Sequence, residues 1–256
     1  MGRFKSPVEE KMKWSIISMG TVDSTNTVAI ELGERNVRQG TVIVADRQTA
    51  GRGRFNREWL SPAGNIYLSV LLRPAFSVSE IPVLTITAAV ACARAVKEIT
   101  GLRVEIKWPN DLMVSGKKLG GILTEAKSRG KTVHFVVVGI GINLNSDSAD
   151  FPPEVCSAVT SLRAETGKET RKDGLIQSIL EEMGHWYGML TVGKKGCVLE
   201  ESKRISCTLG KRVVITTGEG VFEGVAETLD EEGRLILRLP SGILKVISSG
   251  DVMTAR

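Results

Sequence analysis

The chain's 256 residues are enough for one large α/β domain and a small satellite, with a sizeable core. Hydrophobic residues make up 42% and charged residues 25%, the balance of an ordinary soluble globular protein. Lys and Arg outnumber Asp and Glu by 34 to 29, a modest basic excess that suits an anionic substrate or partner without selecting one. The four cysteines, Cys92, Cys156, Cys197 and Cys207, lie far apart and form no CxxC pair. That argues against a zinc site or a disulfide framework and for a reducing cytoplasm. Met1 to Met12 is charged and lacks an apolar h-region, so it does not read as a signal peptide, and no apolar run reaches the length expected of a bilayer span.

In chain order, Trp14 to Met19 predicts a first strand, and Asp23-Ser24-Thr25-Asn26 offers N-cap chemistry for a short helix through Ala29 to Glu34. Thr41 to Ala45 is a β-branched strand that ends in a polar loop rich in arginine and glycine, Asp46 to Arg57. Asn65 to Leu72 is a further strand, Ser79 to Ile99 a long alanine-rich helix, and Val104 to Lys107 a short strand stopped by Trp108-Pro109. Met113-Val114 and Leu119 to Ala126 are strands joined by a Ser-Gly-Lys-Lys turn, and Thr132 to Gly139 follows the Arg129-Gly130 hairpin. Helices are predicted over Val155–Glu165, Lys172–Met189 and Cys197–Cys207. From Leu209 short β-rich runs alternate with glycine turns, the spacing of a small barrel. The expected architecture is α/β (α+β type), a mixed sheet flanked by helices over residues 1–208 and a small β-barrel over 209–256.

Three stretches concentrate polar residues and glycine at strand ends. In the first, Gln48 to Trp59, Gly51 and Gly53 let successive backbone N–H groups converge on an anion. Arg52, Arg54 and Arg57 add planar donors matched to carboxylate or phosphate oxygens. A solvated basic loop or a nucleic-acid contact stays open for these residues alone. The second runs from Lys107-Trp108-Pro109-Asn110-Asp111 to Lys118-Leu119-Gly120-Gly121. It presents an amide beside a carboxylate, and a lysine suited to a developing anion. Lys117 reads as an exposed hairpin lysine, whereas for Lys118 the exposed and the catalytic readings are balanced. Gly120-Gly121 inside a strand implies close approach by a ligand or another backbone. The third, Gly139-Ile140-Gly141-Ile142-Asn143, lacks the last glycine of a dinucleotide fingerprint, and no P-loop occurs anywhere. With only His134 and His185, neither beside a nucleophile signature, a hydrolase or metalloenzyme has little support. Chemistry by positioning and charge stabilisation remains, which fits adenylyl transfer.

In this order and spacing, Asp23-Ser24-Thr25-Asn26, Gln48 to Arg54, Lys107 to Asp111, Lys118 to Leu123 and Gly139 to Asn143 resemble the catalytic domain of biotin–protein ligases. The resemblance covers roughly residues 14–256, with an SH3-like barrel at the end. It implies an enzyme that activates biotin with MgATP as biotinyl-5'-AMP and passes it to a lysine of a biotin carboxyl-carrier domain. By similarity, Ser24, Thr25, Asn26 and Gln48 face the biotin rings, while Gly51, Arg52, Gly53 and Arg54 close over the adenylate. Lys118, with Gly121 beside it, contacts the carboxylate and the α-phosphate. Trp59, Asn110 and Asn143 are nucleotide-side positions, as are Arg52, Arg54 and Lys118. Lys118, Arg54 and Asp111 are the catalytic set, Asp111 serving either magnesium or the incoming lysine; no protein metal site is implied.

Asn56 stands where the family usually has the last glycine of Gly-Arg-Gly-Arg-x-Gly-Arg. Asparagine tolerates left-handed backbone, so the loop is expected to survive the change. Some members carry an N-terminal winged helix and repress transcription; the dozen residues before Trp14 are too few for one, so a monofunctional, cytoplasmic ligase without specific DNA binding is expected. Dimerisation through a sheet edge is implied by the resemblance alone. The rivals are a lipoate or octanoate ligase, which needs an apolar slot where Ser24, Thr25 and Gln48 are polar, and a nucleic-acid-binding regulator using the Arg47–Arg57 loop. A catalytically dead scaffold fits poorly with Lys118 and the arginines intact.

Overall fold

The computed structural model describes residues 12–254. Nine elements build the front of the molecule. They are β1 (Ser15–Val22), α1 (Thr25–Glu34), β2 (Thr41–Gln48), β3 (Ile66–Leu72), α2 (Ile81–Thr100), β4 (Glu105–Lys107), β5 (Asp111–Val114), β6 (Lys117–Arg129) and β7 (Thr132–Ile142). The strands form one seven-stranded mixed sheet in the order β1-β2-β3-β7-β6-β5-β4, in which only β1 and β2 run parallel.

Because side chains alternate across a strand, each central strand feeds two different layers. Val42, Val44, Leu68, Val70, Leu72, Val136, Val138, Ile140 and Ile142 point to one face and join the main core. There α2 packs against α5 (Lys172–Thr191) and α6 (Lys195–Arg204) as well as the sheet. On the other face Ile43, Leu71, Phe135 and Val137 pack with Ala29 of α1. Further along that face the same alternation brings up Ser69 and Gly139, which meet Asn26 at the start of α1, and then Tyr67 and Gly141 beyond it. This uncovered end of the sheet is the floor of the site.

α2 corrects one expectation: residues 78–100 are long and apolar enough, by composition, to cross a membrane. Most of that surface is buried inside the protein, as befits a central helix that is apolar nearly all round.

The predicted helix over Val155–Glu165 is two short pieces, α3 (Pro153–Cys156) and α4 (Leu162–Thr166). Between them the backbone is claimed by Lys118, whose N–H donates to the Ala158 carbonyl (2.8 Å) and whose carbonyl accepts from Thr160 (2.9 Å). Ser161 then starts α4 by accepting from the Ala164 N–H at 3.1 Å.

The C-terminal unit is a five-stranded antiparallel sheet, β11-β10-β9-β8-β12, made of β8 (Arg212–Thr217), β9 (Gly220–Leu229), β10 (Leu235–Arg238), β11 (Leu244–Ile247) and β12 (Asp251–Thr254). Its inward residues Val213, Ile215, Leu235 and Leu237 belong to the same core cluster as the main sheet. Trp108 fastens the two together. It is buried, its backbone N–H donates to Thr208 Oγ1 (2.9 Å), and its indole N–H donates to the Gly233 carbonyl (3.0 Å).

Candidate functional site

Above the uncovered end of the sheet lies a cavity of about 160 Å3. Its floor is Gly121 on β6 and Gly139 and Gly141 on β7; Gly121 and Gly141 are cross-strand partners. A Cβ at Gly139 would collide with the side-chain amide of Asn26, and one at Gly141 would meet the Trp59 indole at 2.7–2.8 Å. Small residues here are what let the start of α1 and the Trp59 ring lie on the sheet.

One end of the cavity is neutral and hydrogen-bonding. Ser24 is the N-cap residue of α1, but its side chain makes no capping bond. The cap chemistry expected from Asp23-Ser24 is replaced by a long-range partner: the Thr25 N–H and hydroxyl both donate to Gln48 Oε1, at 2.8 and 3.1 Å. Gln48 in turn donates to Ser61 Oγ (2.9 Å). Ser69, a small hydroxyl residue in the fully buried strand β3, donates to Asn26 Oδ1 at 2.6 Å, and Asn26 Nδ2 donates to Glu125 at 2.7 Å. Buried polar groups tied into such a chain hold their positions closely.

The other end is cationic. Lys118 Nζ lies 2.7 Å from Asp111 Oδ1 and 5.4 Å from the centre of the Trp59 ring. Arg52 pairs with Glu125 at 3.1 Å, and Arg57 pairs with Asp251 of β12. Arg54 Nη1 donates to Asn110 Oδ1 (3.1 Å) and to the Gly250 carbonyl (3.2 Å), and its Nη2 donates to Ser249 Oγ (2.7 Å). Burial pulls the Arg54 guanidinium below its ordinary pKa, against the opposing pull of Asp251 and Asp111. Burial likewise pushes the Tyr67 hydroxyl up to about 12, so it stays a donor, given to the Pro62 carbonyl at 2.7 Å. Lys118 and Arg52 thus each have a carboxylate partner that an arriving carboxylate or phosphate can replace. The Trp59 indole N–H is buried and has no partner.

The loop that carries these arginines turns through two consecutive left-handed residues, Phe55 and Asn56, both at φ 56°. The side chain of Arg54 folds over the Phe55 ring, 4.8 Å from its centre. At Asn56 the conformation is the one for which glycine is favoured and asparagine tolerated, which is the reason given for expecting the substitution to be accommodated.

Of the residues singled out from sequence, Ser24, Thr25, Asn26, Gln48, Arg52 and Gly53 line this cavity. Arg54, Trp59, Asn110, Asp111, Lys118 and Gly121 line it as well. Gly51 is buried in the same loop without lining it. Asn143 does not line it either: its Nδ2 donates to the Thr160 carbonyl (3.0 Å), and its backbone N–H donates to Leu119 (2.9 Å). Sequence reasoning passed over Tyr67, Ser69, Glu125 and Asp251. The hydroxyl inside the apolar run of β3 was the one local signal for Ser69; nothing local marks Asp251. Among the described residues no three metal-binding side chains converge. Magnesium arriving with ATP would keep mainly phosphate and water ligands, for which single carboxylates such as Asp111 suffice.

Comparison with known proteins gives the family. The Biotin/lipoate A/B protein ligase family model matches residues 19–143, and the model of the biotin protein ligase C-terminal domain matches residues 208–253. The bifunctional ligase/repressor BirA of Bacillus spizizenii is 38% identical over 249 residues, which is 94% of this chain and 74% of that protein. The biotin–[acetyl-CoA-carboxylase] ligase of Paracoccus denitrificans is 32% identical, over 91% of this chain and 98% of its own. The biotin protein ligase of Aquifex aeolicus, solved with biotin and ATP, superposes with a TM-score of 0.82 at 32% identity, covering 94% of this chain and 98% of that one.

Proposed function

Because the chain belongs to the biotin/lipoate A/B protein ligase family, we propose that its cavity is where biotin and ATP meet and react. The enzyme is an ATP-dependent, AMP-forming ligase that activates biotin and transfers the biotinyl group to a carboxylase. In the first step a biotin carboxylate oxygen attacks the α-phosphorus and the bond to pyrophosphate breaks. In the second, a lysine amine attacks the acyl carbon of the mixed anhydride, loses its proton, and AMP leaves.

The observation that carries the reading is the division of one cavity into a neutral hydrogen-bonding end and a cationic end. The ureido group of biotin needs donors and acceptors such as Ser24, Thr25, Gln48 and Asn26, which an apolar lipoyl chain does not. Lys118 and Arg52 sit where the carboxylate and α-phosphate would be held, and their fixed charges offset the repulsion between the two anions and favour the charge gathering on the phosphoryl oxygens as the bond to pyrophosphate breaks. Arg54 holds the phosphate side, with Trp59 and Asn110 on the nucleotide side. Magnesium accompanies ATP and neutralises its phosphates. Asp111, already bonded to Lys118, is the carboxylate nearest the reacting centre, suited to receive the proton of the acceptor lysine. Asn143 acts from behind, holding the strand on which Lys118 is carried.

The acceptor is a biotin carboxyl-carrier domain, the setting is the cytoplasm, and the enzyme works as a homodimer; residues 1–208 form the catalytic domain and 209–256 the barrel. Pyrophosphate release from MgATP, measured with biotin and with lipoate before any acceptor is added, tests the central reading. Release with biotin and a retained product of the mass of biotinyl-AMP is expected; release with lipoate alone would overturn it.

A further inference from the structure

The geometry points to Asp251 and Ser249, on the C-terminal sheet, as positioning residues that clasp the arginine loop shut over the adenylate; this rests on the function proposed above. Three observations meet here. The C-terminal sheet is fastened to the catalytic sheet, because Trp108 bonds to Thr208 and Gly233 and the two units share one core. From that fixed edge Ser249 Oγ and the Gly250 carbonyl accept from Arg54, and the Asp251 carboxylate accepts from Arg57. Both arginines flank the left-handed pair Phe55-Asn56, so they are the two ends of the loop's tip.

The turn that presents these acceptors is constrained in its own right. A Cβ at residue 250 would stand 2.7 Å from Ile215 Cγ2 and 2.9 Å from the Thr216 carbonyl, so only glycine lets the chain enter β12 at this angle. Asp251 also lines a second cavity of about 330 Å3, along the seam between the two units, which shares Arg54, Arg57, Asn110 and Asp111 with the first. Opening the clasp therefore joins the reaction cavity to the seam. Held shut, it keeps water from the mixed anhydride; released, it gives an acceptor lysine or the adenylate itself a way through.

The Arg57–Asp251 pair is partly exposed, with side-chain exposures of 66% and 32%, so its hold is modest. An exposed pair of this kind corresponds to about a two- to fivefold change in an equilibrium. The test measures release of biotinyl-AMP from the loaded enzyme, normalised to each variant's own yield of adenylate. Asp251→Asn is expected to speed release about two- to fivefold, Asp251→Glu to restore it, and Ser249→Ala with Asp251→Asn to act more strongly than either alone. Raising salt from about 0.1 to 1 M shortens the Debye length from about 10 to 3 Å, so wild-type release should accelerate while the Asp251→Asn variant responds less. Should Asp251→Asn fail to fold, Arg57→Gln on the exposed loop carries the same test. Release as slow as wild type from folded Asp251→Asn or Arg57→Gln, or no rescue by Asp251→Glu, would overturn the clasp. A wild-type enzyme that makes no adenylate would instead overturn the function it rests on.

Discussion

Gly121 and Gly141 face each other across β6 and β7, yet adding one methyl to each should have opposite consequences. At Gly141 the new Cβ would lie 2.7–2.8 Å from Cε2, Cζ2 and Nε1 of Trp59, well inside van der Waals contact. Either the sheet gives locally or the indole lifts off, and overpacking of this kind costs about 1–3 kcal/mol. For a chain of this size that corresponds to a fall in Tm of roughly 2–12 °C. At Gly121 the Cβ would meet Trp59, Asp111 and Lys118 at 3.5–3.6 Å, ordinary contact distance, on backbone that is not left-handed. There the smaller entropy of the unfolded chain dominates, and Gly121→Ala should be stabilised by about 0.4–1 kcal/mol. Thermal melts of the two ligand-free variants, with biotin titrations of each, provide the check. Gly141→Ala should also bind biotin more weakly, since Trp59 roofs the glycine floor. A Gly141→Ala variant as stable as Gly121→Ala would refute the claim that the indole is seated on the sheet.

Lys118→Ala should slow biotin-dependent pyrophosphate release about 10²–10³-fold, the usual cost of deleting one preorganised charge at an acyl or phosphoryl centre; a near-normal single-turnover rate would remove Lys118 from the catalytic set. Arg54→Gly should leave activation largely working while the intermediate escapes, because the three bonds to Asn110, Ser249 and Gly250 vanish together; trapping with free amines in solution measures the escape. Away from the site, hydrogen bonds from Arg204 and Arg94 hold the Glu201 carboxylate below its ordinary pKa. The arginines bind the ionised form, so this stabilisation is complete above the unfolded-state pKa of about 4.3 and is lost as pH falls through the lower folded value. Glu201→Gln should cost about 1–3 kcal/mol at neutral pH and flatten the acid limb of the stability profile, both read from denaturant melts.

What the sequence made legible is what local chemistry decides. The run Asn65–Leu72 was legible as a strand, and its two hydroxyls, Tyr67 and Ser69, both find partners in the structure, although the burial of both faces was not legible. Gly120-Gly121 inside a strand announced a close approach without saying by what; a Cβ at Gly120 would stand 2.6 Å from the Gly141 carbonyl oxygen of the neighbouring strand, whereas one at Gly121 would meet Trp59, Asp111 and Lys118 only at ordinary contact distance. The segment 157–161 was read through as helix although only Ala158 in it is a strong helix former, and its backbone bonds instead to Lys118, forty residues earlier in the chain. The capping signal at Ser24 placed the start of α1, but its side chain makes no capping bond, and the Thr25 N–H is satisfied instead by the distant Gln48. Asp251 had no signal at all: it is an ordinary polar residue after a glycine turn until the sheet order brings β12 beside the arginine loop.

The same distinction explains how the site is divided. Its floor is set by alternation along two strands: the first turn of α1 covers that face as far as Ser69 and Gly139, through Asn26, and the site opens beyond it toward Gly121 and Gly141. Its walls are long-range: Gln48 to Thr25, Arg52 and Asn26 to Glu125, Arg54 and Arg57 to the C-terminal sheet. Floor residues are packed and can respond only a little, whereas each wall contact is one ion pair or a few hydrogen bonds on a loop. Opening should therefore occur at the arginine loop and leave the glycine floor still. Hydrogen exchange supports this if the amides of Gly53 and Arg57 exchange faster than those of Gly139 and Gly141 in the free enzyme and slow selectively with adenylate bound. Uniform slowing across the sheet would mean that the floor moves as well, and that the division drawn here between floor and wall is wrong.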